Sequence, residues 1–92
     1  MKKVTQKVVS AFMQGKSCKV SNTETDGTAL FLHGNKIAEK RSDGLYISNA
    51  GWMSNTTKER LNALPNVSIQ QKNWQWYMNG ELWGGNWKKV SE

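Results

Sequence analysis

A small α+β domain is what this sequence predicts: an antiparallel sheet of five to six strands, a meander followed by C-terminal hairpins, with an N-terminal helix and a short second helix. Three observations carry the prediction. Turn signals recur at short intervals, at Gly34-Asn35, Ser42-Asp43-Gly44 and Asn79-Gly80. Between them apolar and polar residues alternate, the period of a half-buried strand. In "KKVTQKVVSAFMQG" and "SNTTKERL" the pattern changes to spacings of three and four, the period of a helix.

The elements follow in order. Val4, Val8, Ala11 and Phe12 share one face of the first helix, and Gly15 is placed to end it in a left-handed conformation. "NTETDG" reads as a polar loop. "TALFLH" and "KIAEKR" are strands about the Gly34-Asn35 turn, with Leu30 and Leu32 on one side and Phe31 and His33 on the other. "LYIS" supplies a third strand. Thr56 with Glu59 three residues later forms a capping box for a helix over 56–64, with Leu61 and Leu64 on its apolar edge, Lys58 and Arg60 away from it, and Pro65 stopping it. "VSIQQ" and "WQWYM" are strands about Lys72-Asn73, and "ELW" pairs back after Asn79-Gly80, ahead of a basic tail, "NWKKVSE".

Size and composition bound the rest. Ninety-two residues make one small basic domain, and with apolar residues at only 37% each large side chain carries much of the burial. Trp52 is expected in the core. So are Trp74 and Trp76, placed with Met78 on one strand face and covered by Val8 and Phe12 of the first helix. The net charge of +6 favours anionic partners. A lone Cys18 excludes an internal disulfide. No apolar run approaches the ~18–20 residues of a membrane span, which points to a cytoplasmic protein.

Two stretches, "NTETDGTALFLHGNKIAE" and "ISNAGWMSNTTKERLNAL", resemble a widespread group of small proteins encoded by tailed bacteriophages. In that group a basic N-terminal helix leads to an "NT…DG" loop, a "LHGN.IA" hairpin, a "GW…TT..RLN" strand-to-helix segment and an aromatic, Gly-rich hairpin. The resemblance spans the chain from about Lys3 to Trp87. It implies phage provenance and the cytoplasm of the host cell, and it offers no catalytic or binding residues to transfer. Small phage proteins that are neither enzymes nor virion parts often bind and disable a host machine, including the nucleases of restriction and CRISPR defence.

Chemistry is sparse. One histidine, His33, and one cysteine make no metal-ligand spacing and no nucleophile–base pair, and the acids are dispersed. No P-loop or dinucleotide fingerprint is present, and Thr56 beside "GWMSNTT" already has a capping role. The chain is therefore expected to be no enzyme, with no cofactor and no metal. The candidate residues for binding a partner or nucleic acid are Lys36, Lys40 and Arg41 on one hairpin and Trp83, Trp87, Lys88 and Lys89 around the last turn. The same lysines also fit the gatekeeping charges of exposed strands. Three readings stay open: a phage inhibitor of a host nucleic-acid-handling or defence complex, a general nucleic-acid-binding accessory protein that stacks tryptophans on bases, and a structural or oligomeric module. The host partner is a protein, a nucleoprotein complex or nucleic acid itself, and the oligomeric state is open.

Overall fold

The expected first helix is α1 (Lys3–Met13), and it buries Thr5, Val8, Val9 and Phe12, an i, i+3, i+4, i+7 stripe. Gly15, at φ +73°, ends it. The amide of Lys16 bonds back to the Ala11 carbonyl at 2.9 Å and that of Gly15 to Phe12 at 3.2 Å, the two bonds of a Schellman cap. The computed structural model describes residues 2–90, so the final Ser91-Glu92 of the basic tail lie outside the described residues.

The chain then meanders through β1 (Cys18–Val20), β2 (Thr23–Thr25), β3 (Ala29–Leu32), β4 (Asn35–Arg41) and β5 (Gly44–Ile47), each antiparallel to the next. The polar stretch "NTETDG" is thus a strand where a loop was expected, and β1 was not expected at all. Thr23 and Thr25 are buried because their hydroxyls find partners. Thr25 Oγ1 donates to the Ala29 carbonyl at 2.6 Å, and Thr23 Oγ1 donates to Asn22 Oδ1 at 2.8 Å. Paired in this way, β-branched threonine suits a strand as well as valine does.

After β5 the chain leaves this sheet. It forms α2 (Asn55–Asn62) and a separate three-stranded sheet of β6 (Ile69–Lys72), β7 (Gln75–Met78) and β8 (Glu81–Leu82). It then returns as β9 (Lys88–Lys89), which pairs antiparallel with β5 and completes a six-stranded sheet ordered β1-β2-β3-β4-β5-β9. The return is held at Gly85, whose carbonyl accepts from the Asn49 amide at 2.9 Å and the Ser48 hydroxyl at 3.0 Å. A Cβ at Gly85 would stand 2.0–2.5 Å from the Asn49 side-chain amide. The α+β class is as predicted, but the C-terminal hairpins build a second sheet and do not extend the first.

Three two-residue hairpin turns have both central residues at positive φ, as type I′ turns require. They are His33-Gly34, Asn73-Trp74 and Asn79-Gly80. Only the last was placed correctly from sequence. In the first, Gly34 takes the second central position and His33 the first, so Asn35 opens β4. In the second, Asn73 takes the first position and pushes Trp74 out of the strand to the tip.

The second helix also begins differently. Ser54 is the N-cap, its hydroxyl accepting from the Thr57 amide at 3.1 Å, and Thr56 lies inside the helix. Glu59 makes no capping box because, with Ser54 as the cap, Thr57 holds the position that closes one and Glu59 lies further into the helix. Arg60, expected away from the core, is 4% exposed and lies in it. Its guanidinium donates to Thr23 Oγ1 at 2.8 Å, Thr5 Oγ1 at 2.7 Å, Asn22 Oδ1 at 3.3 Å and the Glu59 carboxylate. Glu59 in turn accepts from Thr5 Oγ1 at 2.6 Å. This network ties α1, α2 and the β1–β2 turn together. Around it one apolar core joins Val8 and Phe12 of α1, Leu30, Ile37 and Ile47 of the large sheet and Trp76 and Met78 of the small one.

Candidate binding surface

The five basic residues singled out in the sequence do not form a free patch. Lys40 lies under α1, where its ammonium donates to the Phe12 carbonyl and to the Gly27 carbonyl at 3.1 Å and sits 4.7 Å from the Phe12 ring centroid. A cation at a helix C-terminus is favoured by the helix dipole, so Lys40 has a structural role. Lys36 and Arg41 both pair with Glu39, at 2.7 and 3.0 Å, and hold its carboxyl below the usual range. Lys88 faces Glu81 at 3.6 Å and Lys89 faces Asp43 at 3.8 Å. These are the interleaved charges of a solvated sheet face.

Part of the predicted set is nevertheless brought together. The Arg41 guanidinium stacks 4.1 Å from the Tyr46 ring centroid and 5.2 Å from that of Trp87. Lys89 lies opposite Tyr46 across the β5–β9 pair. Tyr46 donates its hydroxyl to Asp43 at 2.8 Å, which raises the tyrosine's titration and lowers the aspartate's. Trp87 is 38% exposed.

The other tryptophans divide differently from expectation. Trp76 is buried as expected, at 1%, but so is Trp83, at 4%, its indole N–H donating to the Asn86 carbonyl at 2.8 Å. Trp83 is a core residue and is withdrawn from the contact set. Trp52 and Trp74, expected in the core, are exposed. Both sit on or beside left-handed turns, Ala50-Gly51 for Trp52 and Asn73-Trp74 for Trp74. Their positions depend on turn geometry, which sequence alternation does not reveal.

Trp52 stands at the rim of a cavity of ≈ 450 Å³ walled by Leu32, Ile37, Ala50 and Ser54, with His33 at its edge. Trp74 is more unusual. It is 89% exposed and holds φ at +68°, a region that costs a bulky residue about 1–2 kcal/mol and is suited to glycine. The ring gains no burial to offset that. Trp74→Gly is therefore expected to raise the unfolding free energy by about 0.5–1 kcal/mol, visible as a melting temperature a few degrees higher.

The uncompensated charge lies at the N-terminal end of the chain, away from the candidate residues. Lys2, Lys3, Lys7, Lys16 and Lys19 precede the first acid, Glu24, so the first 23 residues carry five of the six net charges. Among the described residues none of these lysines is in an ion pair. Lys3 and Lys7 lie one helical turn apart on the exposed side of α1, and Lys19 points outward from β1, the edge strand. The acid-free run was visible in the sequence. That the later charges neutralise each other was not.

The model of the Kyanoviridae Gp96 protein family matches residues 1–91. The chain belongs to that family. It is thus a small phage protein, the provenance that the resemblance implied. No curated protein and no solved structure is significantly similar to it. Among the described residues no helix is long and apolar enough to cross a membrane, and no three His, Cys, Asp or Glu side chains are grouped to hold a metal ion.

Proposed function

We propose that this phage protein is a non-enzymatic binding protein that acts by occupying a phosphate-bearing host target, nucleic acid or a nucleoprotein complex such as a crRNA-guided nuclease or a restriction nuclease on its DNA. The observation that carries the proposal is the segregation of charge. Five lysines at the N-cap of α1, on α1, on β1 and on their connection face solvent and make no ion pair, with Glu24, opposite Lys19 across the β1–β2 pair, the acid nearest to them in the sheet, while the rest of the chain is nearly neutral. Such a surface attracts a polyanion and releases its counterions.

The test is binding to labelled duplex and single-stranded oligonucleotides over a range of salt concentrations. Lys3→Glu with Lys7→Glu is expected to weaken binding and, on duplex, to flatten the salt slope by about 2, one for each lost phosphate contact. Lys3→Glu also places an acid in the first turn of α1, where the helix dipole favours it, so the melting temperature should not fall. Binding that ignores both salt and these changes would remove the polyanion reading. Pull-down from infected host cells with and without nuclease treatment then separates a protein partner from one bridged by nucleic acid.

A further inference from the structure

We infer that the outer face of the small sheet, ending at Trp74, is a stacking platform for the unpaired bases of single-stranded nucleic acid. The inference rests on the polyanion reading above and gives it a second, base-contacting surface. In β6 and β7 the side chains alternate, and Ile69, Trp76 and Met78 turn inward. The opposite face presents Gln70 paired with Tyr77, Tyr77 paired with Leu82, and Lys72 paired with Gln75. The Asn73-Trp74 turn closes the end beyond Lys72 and Gln75, and a depression of ≈ 520 Å³ runs among Gln70, Lys72 and Tyr77.

The chemistry of this face selects one occupant. It carries the Tyr77 ring, two amide side chains, an ammonium group and a single aliphatic residue, with no acid, and the exposed Trp74 indole stands at the turn that closes its end. A protein-docking core is richer in apolar side chains and poorer in lysine. Unpaired bases need flat rings to stack on, amides to meet their edges and a cation near the phosphates. The bases of a duplex offer no free face. The left-handed backbone at Trp74 adds the second argument, because a nearly fully exposed indole occupies a turn position where glycine would fold better.

The test uses the full chain, with fluorescence anisotropy on a 12-nucleotide pyrimidine-rich single strand and on the same sequence as a duplex. Trp74→Gly is expected to fold at least as well as the natural chain and to lose about 5- to 150-fold in single-strand affinity, the equivalent of the ~1–3 kcal/mol of one base–aromatic stack. Tyr77→Ala should act in the same direction, and Trp74→Phe should recover part of the loss. Duplex affinity and the salt slope should stay unchanged in Trp74→Gly. Single-strand binding that survives Trp74→Gly overturns the platform and leaves the lysine-based reading standing. If the natural chain binds neither oligonucleotide, both fail. A dimer that Trp74→Gly converts to a monomer, with no change in oligonucleotide binding, also overturns the platform and marks the face as a self-association surface.

Discussion

Arg60→Met is expected to lower the unfolding free energy by about 3–5 kcal/mol, a large fraction of what a domain of this size possesses. The guanidinium is nearly inaccessible and serves four acceptors on three different segments. Removing it leaves the Glu59 carboxylate without its counter-ion, with Oε2 already buried and unbonded, and leaves Thr23 Oγ1 short of a donor. The loss comes mainly from stranded partners, so adding Glu59→Gln to Arg60→Met should recover part of it. Chemical denaturation of the single and double variants measures both effects. A loss below 1 kcal/mol for Arg60→Met would show that water reaches the site.

The same network sets an acid limit. Burial pushes the Glu59 carboxyl up, but the hydrogen bonds from Thr5 and Arg60 and the arginine charge outweigh it and hold the group below its ordinary value. A carboxyl depressed in the folded state stabilises the fold above its unfolded pKa and loses that contribution as pH falls through the folded one. The natural chain should therefore lose stability on acidification below about pH 4.5. Glu59→Gln should flatten that part of the profile.

Trp76→Ala is expected to cost about 3–5 kcal/mol, and Trp83→Ala a comparable amount, while Trp74→Ala and Trp87→Ala stay within about 1 kcal/mol. Trp76 and Trp83 lie with ring centroids 6.2 Å apart and planes at 39°, and Trp76 is also approached by the Lys58 ammonium at 5.9 Å. Truncating Trp76 opens a cavity between the small sheet and the rest of the core. Thermal melts of the four alanine variants decide the division. Equal losses at Trp74 and Trp76 would mean that the hairpin register is one residue from that described.

What could be read from the chain was local. The helix stripe of Val8 and Phe12, the Gly15 cap and the Asn79-Gly80 turn depend on neighbours a few residues away, and all three are where the pattern put them. The errors came from two sources. One was turn chemistry: the turn falls at Asn73-Trp74, one residue beyond Lys72-Asn73, and takes Trp74 out of the strand to an exposed tip while Trp76 and Met78 keep the inward face. The other was distant pairing. Nothing near Lys40 announces the Phe12 carbonyl, and nothing near Arg60 announces Thr5 or Thr23. Of the candidate binding residues, Arg41, Trp87 and Lys89 converge, Lys36 and Lys88 are surface ion-pair members, and Lys40 and Trp83 are structural.

The clamp at Gly85 has a consequence for the order in which the chain can fold. Strands β1 to β5 are joined by short connections and can zip locally, whereas β9 pairs with β5 across the whole of α2 and the small sheet, and loop-closure entropy predicts that it joins last. Until then β5 is an open edge, with a row of unpaired amides and carbonyls able to capture a neighbouring chain. The register of Ile47 against Lys88 is thus a late, long-range closure. Stability and solubility meet at that step, since a chain slow to seat Gly85 stays longer in an aggregation-prone state.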